Sequence, residues 1–342
     1  MIRQDSSEVL HPFEYQDVKI NNVRVKLADV FVGTVPAATG APAAVYASWT
    51  AQGFSFRVLR RSPSDNEEFK NILGLDKLLP TIMATSFSEI PVIDFARLRS
   101  PANKPLALQQ LKDALFKVGF LYLINTGLES VLDEGHRAAP ELFNLPAESK
   151  EKCSMINSPS FLGYTALGAE TTASQTDLRE QFDFGTPVTN RWTDNDPLWQ
   201  RLEGPSQYPD AKTEDLANRL IYQMSGLAAT FLEAVAECLE LPKDTFAPFR
   251  GHMDRLKFIK YPPSRSSQGV GPHKDSTGLF TFLSQDSVGG LQVLNRAGQW
   301  IDAPPVPDSL VVNIAQGFEA ITGGRCHATT HRVVVSLAHL ET

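Results

Sequence analysis

The sequence predicts an α+β protein with a mainly β core, of the sandwich, barrel or jelly-roll kind, flanked by helices. From Arg255 onward, Gly- and Pro-rich turns separate short apolar segments, which are RLKFIKY, LFTFL, LQVL, QWIDA, SLVVNI and ATTHRVVV. Many short strands with turn signals between them are typical of these β architectures. Before Arg255, apolar residues recur at helical spacing, most clearly at Leu216, Leu220 and Leu227.

Three regions follow one another along the chain. Residues 1–86 lack a clear core pattern and are interpreted as an N-terminal extension whose order the sequence leaves open, so we expect residues 1–82 to be unnecessary for the site. Residues 87–250 form a mixed helical and strand region, and residues 251–342 form the strand-rich core. Within the mixed region the sequence predicts strands at 90–95 and 120–124, helices near 108–118, 129–143 and 212–240, and a loop-rich stretch at 157–190.

Composition excludes several classes of protein. The 342 residues carry a formal net charge of −7 and no long basic run, which argues against nucleic-acid binding. The first ten residues lack the apolar core of a signal peptide, and no stretch is apolar enough for a membrane helix. Three cysteines without a CxxC pair make a disulfide framework or a thiolate zinc site improbable. We therefore expect a cytoplasmic protein without a membrane partner.

The segment GPHKDSTGLFTFL carries the strongest signal for chemistry. His273 and Asp275 are two residues apart, so in a strand both side chains would face the same side. One imidazole and one carboxylate are two of the three ligands in the facial triad of non-haem Fe(II) oxygenases. By itself an HxD tripeptide is common by chance, and such histidines are more often packed core residues.

A third ligand is expected from a distant strand. His331 in ATTHRVVV lies 56 residues after Asp275, which is enough for several strands to return it to the site. His327 is an alternative, because it is four residues from His331 and would face the same side of a strand. A zinc protease motif is excluded, since HExxH requires Glu where Ala328 stands.

A set of segments between Ile90 and Val334 resembles the 2-oxoglutarate/Fe(II)-dependent dioxygenases of the isopenicillin N synthase-like type. In chain order the segments are IPVIDF, KVGFLYLINTG, ELFNLPAESKEK, GYTALGAE, DLREQFDFG, GPSQYPD, KYPP, PHKDSTGLFTFLSQDSVGGLQVLNRAGQWIDAPPVPDSLVVNI and ATTHRV. The resemblance implies a double-stranded β-helix, or jelly roll, with flanking helices. It also implies Fe(II) on His273, Asp275 and His331, with His331 preferred to His327.

The same resemblance implies the cosubstrates. In such enzymes 2-oxoglutarate chelates the iron, O2 takes the remaining position, and succinate and CO2 are released as a small substrate is oxidised. Tyr261, in the YPP segment, is a candidate for the distal carboxylate of 2-oxoglutarate. Packing at a strand end is an equal alternative for this tyrosine.

The sequence departs from the family near its last residues. Such enzymes usually carry an Arg-x-Ser pair beyond the last histidine, whereas this chain runs HRVVVSLAHLET, and Arg332 directly after His331 would point to the opposite face. We expect an apparently truncated jelly roll, with VVVSL as an exposed edge, weak 2-oxoglutarate binding, low stability and a tendency to associate.

The leading functional prediction is a 2-oxoglutarate-dependent Fe(II) oxygenase that hydroxylates or desaturates a small organic molecule. Two alternatives remain from the residues alone. One is an Fe(II) oxidase that does not use 2-oxoglutarate, and the other is a catalytically inactive jelly-roll protein. The sequence predicts neither the substrate nor the oligomeric state.

Overall fold

The computed structural model describes residues 87–172, 175–189, 192–263, 268–276 and 278–335, and before them only the backbone of five strands. Those strands form one antiparallel sheet in the order β1-β2-β5-β4-β3. Their bounds are β1 Gln16–Ile20, β2 Val23–Leu27, β3 Gly33–Thr34, β4 Val45–Ala51 and β5 Phe54–Leu59. The other N-terminal residues lie outside the described part, so the expectation that residues 1–82 are unnecessary stays a prediction.

Two four-stranded sheets form the core, and they confirm the predicted jelly-roll class. One sheet has the order β13-β18-β15-β16, and the other has the order β14-β17-β7-β6. Apolar side chains from both sheets meet between them, including Leu291 and Val293 from the first and Phe120, Tyr122 and Val311 from the second. The strands are β6 Val92–Asp94, β7 Phe120–Ile124, β13 Gln268–His273, β14 Phe280–Leu283, β15 Leu291–Leu294, β16 Trp300–Asp302, β17 Ser309–Ile314 and β18 His331–Val334.

The sheets join distant parts of the sequence. Strand β7 pairs antiparallel with β17 and parallel with β6. The region before residue 250 therefore contributes two strands to the same sheet as the region after it.

The helices are α1 Phe95–Arg99, α2 Lys104–Lys117, α3 Glu129–Phe143, α4 Ala147–Lys152, α5 Ala211–Cys238 and α6 Gln316–Ile321. Helices α1, α2 and α6 and the second half of α5 pack against the outer face of the second sheet, whereas the end of α3 and the first half of α5 pack against a third sheet described below. The helices predicted at 129–143 and 212–240 are confirmed. Helix α5 begins where the Asp210 side chain accepts from the Thr213 N–H at 2.7 Å, which satisfies one of the free donors of its first turn. No helix in the described residues is long and apolar enough to cross a bilayer.

The stretch at 157–190 is less loop-rich than predicted. It contains β8 Gly163–Thr165, β9 Thr171–Thr172, β10 Gln175–Thr176 and β11 Glu180–Gly185. Strand β11 lies between β8 and β12 Arg255–Lys260 in a third sheet and is buried throughout. The sequence does not reveal this strand because several of its residues are polar. Its two carboxylates are tolerated inside because lysines pair with them, Lys150 and Lys260 with Glu180 and Lys257 with Asp183.

The prediction that VVVSL forms an exposed edge is wrong for Val333 and Val334. Strand β18 lies inside its sheet, because Val333 is opposite Val270 of β13 on one side and Leu291 of β15 on the other. Its N–H and C=O groups are therefore in ladders on both sides rather than open to another chain. Ser336 and Leu337 lie outside the described residues.

Candidate metal centre

His273 is the last residue of β13, and its ring is oriented by the backbone. Its Nδ1 lies 2.8 Å from the Gly271 carbonyl oxygen. When Nδ1 carries the proton and donates it to that carbonyl, Nε2 keeps a free lone pair, which is the arrangement of a metal-binding imidazole.

Asp275 lies beyond the end of β13, so the prediction that both HxD residues share one strand is wrong. Strand pairing stops at His273, and the Asp275 carbonyl accepts from the Gln316 N–H at 2.8 Å instead of entering a ladder. The carboxylate is held from the other sheet. Its Oδ2 accepts from Thr281 Oγ1 at 2.7 Å and from Asn313 Nδ2 at 2.8 Å. These bonds leave Oδ1 available.

His331 opens β18 directly opposite His273 in the antiparallel pair. Its Nδ1 lies 3.2 Å from the Thr329 carbonyl oxygen, and the ring meets Phe120 edge-on at a centroid distance of 5.2 Å. The residue is only 8% exposed. The backbone and an aromatic wall thus direct Nε2 toward His273 and Asp275.

The three side chains converge through the atoms that the protein leaves free. Each histidine Nε2 lies 3.7 Å from Asp275 Oδ1, and the two rings have a centroid distance of 4.3 Å. Within the described residues, the ligand atoms of these three side chains all lie within 4.8 Å of one another, so they could bind one metal ion. Two imidazoles and one carboxylate on one side of a site match the facial triad that binds Fe(II) and leaves positions open. The residues present therefore fit the metal.

The electrostatics of the cluster suit a divalent cation. Burial opposes ionisation of Asp275, but His331 and the hydrogen bonds from Asn313 and Thr281 outweigh it, so its pKa lies below the usual value. Burial lowers the pKa of His331, against the opposing attraction of Asp275. An ionised carboxylate and a neutral imidazole are the forms that coordinate a metal.

His327 is directed elsewhere. Its Nδ1 lies 3.1 Å from Glu319 Oε1, and its side chain is 47% exposed. Sequence spacing alone left His327 and His331 as alternatives, and the structure brings only His331 to the other two ligands within the described residues.

Tyr261 lies just after β12 and packs on β13. A Cβ built on Gly269 would lie 2.8 Å from the tyrosine ring and 3.1 Å from Val335 Cγ2. Val335 is four residues after His331, and alternate side chains of an extended chain share a face. Tyr261 is therefore on the same side of this sheet as the histidine ligands.

Arg179 contacts Tyr261 and was missed in the sequence. The pairing of Glu180 with Lys260 places Arg179 opposite Tyr261, and the guanidinium lies close enough to the phenol to lower its pKa. Arg179 also pairs with Glu170 at 2.8 Å and lies 3.4 Å from Asp177. Burial raises the pKa of Tyr261, against the effect of Arg179, so the phenol keeps its proton. Only the strand register, which the sequence does not display, would have revealed this pair.

Arg332 points away from the site, as predicted. Its Nε donates to Gln292 Oε1 at 2.8 Å, and its guanidinium lies 4.0 Å from the centre of the Trp300 ring. This arginine is held on the outer face of the sheet.

Two family models match the chain in consecutive regions. Residues 90–211 match the N-terminal domain described as non-haem dioxygenase in morphine synthesis, and residues 252–339 match the 2OG-Fe(II) oxygenase superfamily. The chain belongs to the 2OG-Fe(II) oxygenase superfamily. It is a 2-oxoglutarate-dependent dioxygenase that uses Fe(II), and the comparisons favour neither the oxidase nor the inactive alternative.

Named relatives support this membership. The chain is 39% identical over 259 residues to the 2-oxoglutarate-dependent dioxygenase frbJ of Dothideomycetidae sp., covering 73% of this chain and 70% of the relative. It is 31% identical over 275 residues to homoarginine-6-hydroxylase 2-ODD-C23 of Glycine max, covering 74% and 82%. A 2OG-Fe(II) oxygenase family protein from Caulobacter crescentus superposes with a TM-score of 0.59 at 27% identity, covering 73% of this chain and 81% of that one.

Proposed function

We propose that this dioxygenase hydroxylates or desaturates a small organic molecule at an Fe(II) centre held by His273, Asp275 and His331. One observation carries the proposal. Nδ1 of each histidine and Oδ2 of Asp275 are engaged by the protein, while both Nε2 atoms and Oδ1 converge. Three free ligand atoms that converge in this way suit a divalent metal ion.

The protein's own contribution is orientation and exclusion of water. Fe(II), 2-oxoglutarate and O2 would supply the oxidant for a C–H bond, with succinate and CO2 as coproducts. Thr281 and Asn313 hold the carboxylate so that one oxygen faces the histidines. Phe120 and Val293, both buried, cover His331 from the two sheets and keep that side of the centre dry. These residues let the ligands keep one geometry throughout turnover.

The experiment that tests the function follows two signals. We expect anaerobic addition of Fe(II) and then 2-oxoglutarate to the full chain to produce the visible metal-to-ligand charge-transfer band. With O2 and an oxidisable substrate, succinate should form in equal amount to the oxidised product. Substrate oxidation without succinate would instead indicate the 2-oxoglutarate-independent oxidase. Iron binding with no turnover of any substrate would indicate the inactive protein.

Tyr261 is proposed to donate a hydrogen bond to the distal carboxylate of 2-oxoglutarate. Because the neighbouring guanidinium of Arg179 has no acceptor, the phenol proton is available to a different partner. A hydrogen bond to a charged group contributes about 1.5–3 kcal/mol. The strength of 2-oxoglutarate binding stays a prediction.

Tyr261→Phe is expected to raise the Kd of 2-oxoglutarate by about 10- to 100-fold, since each 1.4 kcal/mol corresponds to a factor of ten. Anaerobic titration of the Fe(II) form measures this Kd directly. Tyr222→Phe is the matched control, because Tyr222 is 81% exposed on α5. An unchanged Kd in Tyr261→Phe would assign this tyrosine to packing alone.

The substrate class is proposed from the relatives. The soybean relative is named a homoarginine-6-hydroxylase, and the relative from Dictyostelium discoideum is named a 1-aminocyclopropane-1-carboxylate oxidase. Amino acids are therefore the first candidate substrates. For each one, the rate of succinate formation is compared with the rate measured without substrate. A panel in which no amino acid exceeds that background would contradict this choice.

We also propose a cytoplasmic location. Cys153, Cys238 and Cys326 are buried free thiols, and cysteines commonly remain unpaired in reducing compartments. Fractionation of cells expressing the tagged full chain tests the location, and recovery from the secreted fraction would contradict it.

A further inference from the structure

Helix α6 lies against the segments that carry all three metal ligands. It follows β17, the strand that contains Asn313, and its first residue, Gln316, donates its N–H to the Asp275 carbonyl at 2.8 Å. Glu319 is one turn further along α6 and is partly buried, with 24% of its side chain exposed.

Lys274 brings the first ligand-bearing segment to Glu319. It stands between His273 and Asp275 in the chain. Its Nζ lies 3.4 Å from Glu319 Oε2. This ion pair therefore holds the chain where β13 ends, between the two proposed ligands.

The second ligand-bearing segment reaches the same carboxylate. The Ala328 N–H donates to Glu319 Oε2 at 3.1 Å, three residues before His331, and His327 Nδ1 lies 3.1 Å from Oε1. One side chain thus joins the HxD turn to the approach to the third ligand. It also contacts His327, the histidine that the sequence left as an alternative to His331.

The contacts keep Glu319 charged. Burial opposes its ionisation, but the hydrogen bond from His327, the charge of Lys274 and the Ala328 N–H together hold its pKa below the usual value. A carboxylate can accept from all three donors at once, whereas an amide offers only one oxygen.

We propose that Glu319 is a positioning residue that clasps the two ligand-bearing segments of the iron site and holds His327 away from it. The inference rests on the proposed metal centre at His273, Asp275 and His331. Among the described residues Glu319 contacts none of these ligands directly. It positions them through Lys274 and the backbone of Ala328, while its contact with His327 only keeps that histidine away from the site.

Glu319→Ala in the full chain is expected to weaken Fe(II) binding by about 10-fold, the lower end of the range for residues that orient metal ligands. Anaerobic competition with a chromophoric chelator measures the affinity. Glu319→Gln should fall between wild type and Glu319→Ala, because its amide keeps one acceptor. Lys274→Ala should weaken binding as well, and the double variant should weaken it by less than the product of the two single effects.

The control is Glu237→Ala. This change removes the Lys104–Glu237 ion pair between α2 and α5, where Glu237 is 31% exposed and the two charged atoms are 2.5 Å apart. Thermal unfolding of the metal-free variants separates the two roles. If Glu319 positions the metal ligands, Glu319→Ala should bind Fe(II) more weakly than Glu237→Ala, even when the two metal-free variants are equally stable.

The outcomes are distinguishable. If wild type binds Fe(II) and Glu319→Ala binds it within a factor of two, the role of Glu319 is overturned while the metal centre stands. The role of Glu319 would also be overturned if the effects of Lys274→Ala and Glu319→Ala on Fe(II) affinity multiplied in the double variant. Multiplication would show that the two residues act independently and not through their ion pair. If wild type retains no Fe(II), the proposed metal centre itself fails.

Discussion

His331→Ala is expected to abolish Fe(II) retention and turnover, whereas His327→Ala is expected to leave both close to wild type. The change removes one of the three proposed ligands and leaves His273 and Asp275 as an incomplete pair. Two ligands cannot set the facial geometry that keeps Fe(II) in place. His327 cannot substitute without leaving Glu319 Oε1, 3.1 Å from its Nδ1.

Iron content after desalting and the charge-transfer band with 2-oxoglutarate measure this difference. His273→Ala and Asp275→Ala should behave like His331→Ala, because each also removes one member of the same set. Far-UV circular dichroism of the metal-free proteins checks that the variants fold. The assignment is wrong if His327→Ala loses the metal and His331→Ala keeps it.

Phe231→Ala is expected to lower the free energy of unfolding by about 3–5 kcal/mol, the usual cost of truncating a buried phenylalanine. Phe231 on α5 is 0% exposed. Its ring meets Phe280 and Phe282 of β14 edge-on, with centroid distances of 5.2 and 5.5 Å. The substitution therefore leaves a cavity between the long helix and the second sheet of the jelly roll.

The substitution should also disturb the metal centre, because β14 carries a residue that holds Asp275. Thr281 lies between Phe280 and Phe282 on β14, so its side chain points to the opposite face of that strand, where it donates to Asp275 Oδ2 at 2.7 Å. Chemical denaturation of the metal-free chain measures the stability. Tyr222→Ala on the same helix is the control, since Tyr222 is 81% exposed and a surface change should stay within about 0.5 kcal/mol. A loss of under about 1 kcal/mol in Phe231→Ala would show that α5 does not depend on this contact.

Local elements were predictable because their signals lie within a few residues. The strand Phe120–Ile124 and the helix Glu129–Phe143 have the bounds that the sequence predicted. Strand β11 was not predicted, since its burial depends on partners far along the chain, such as Lys257 for Asp183. A polar segment becomes a core strand only when the rest of the fold supplies those charges.

By itself the sequence determined the kind of ligands at the site and, through an ordered resemblance, the family. His273, Asp275 and His331 are chemically suited to Fe(II) wherever they lie, and side-chain chemistry is a local property. Tertiary structure alone decided their geometry. The β13–β18 register places His331 opposite His273, and Thr281 and Asn313 turn Asp275 toward both after its strand has ended. Arg179 beside Tyr261 and Glu319 between Lys274 and Ala328 were likewise invisible in the sequence. Such contacts depend on the register and packing of strands far apart in the chain, which the preferences of neighbouring residues do not specify.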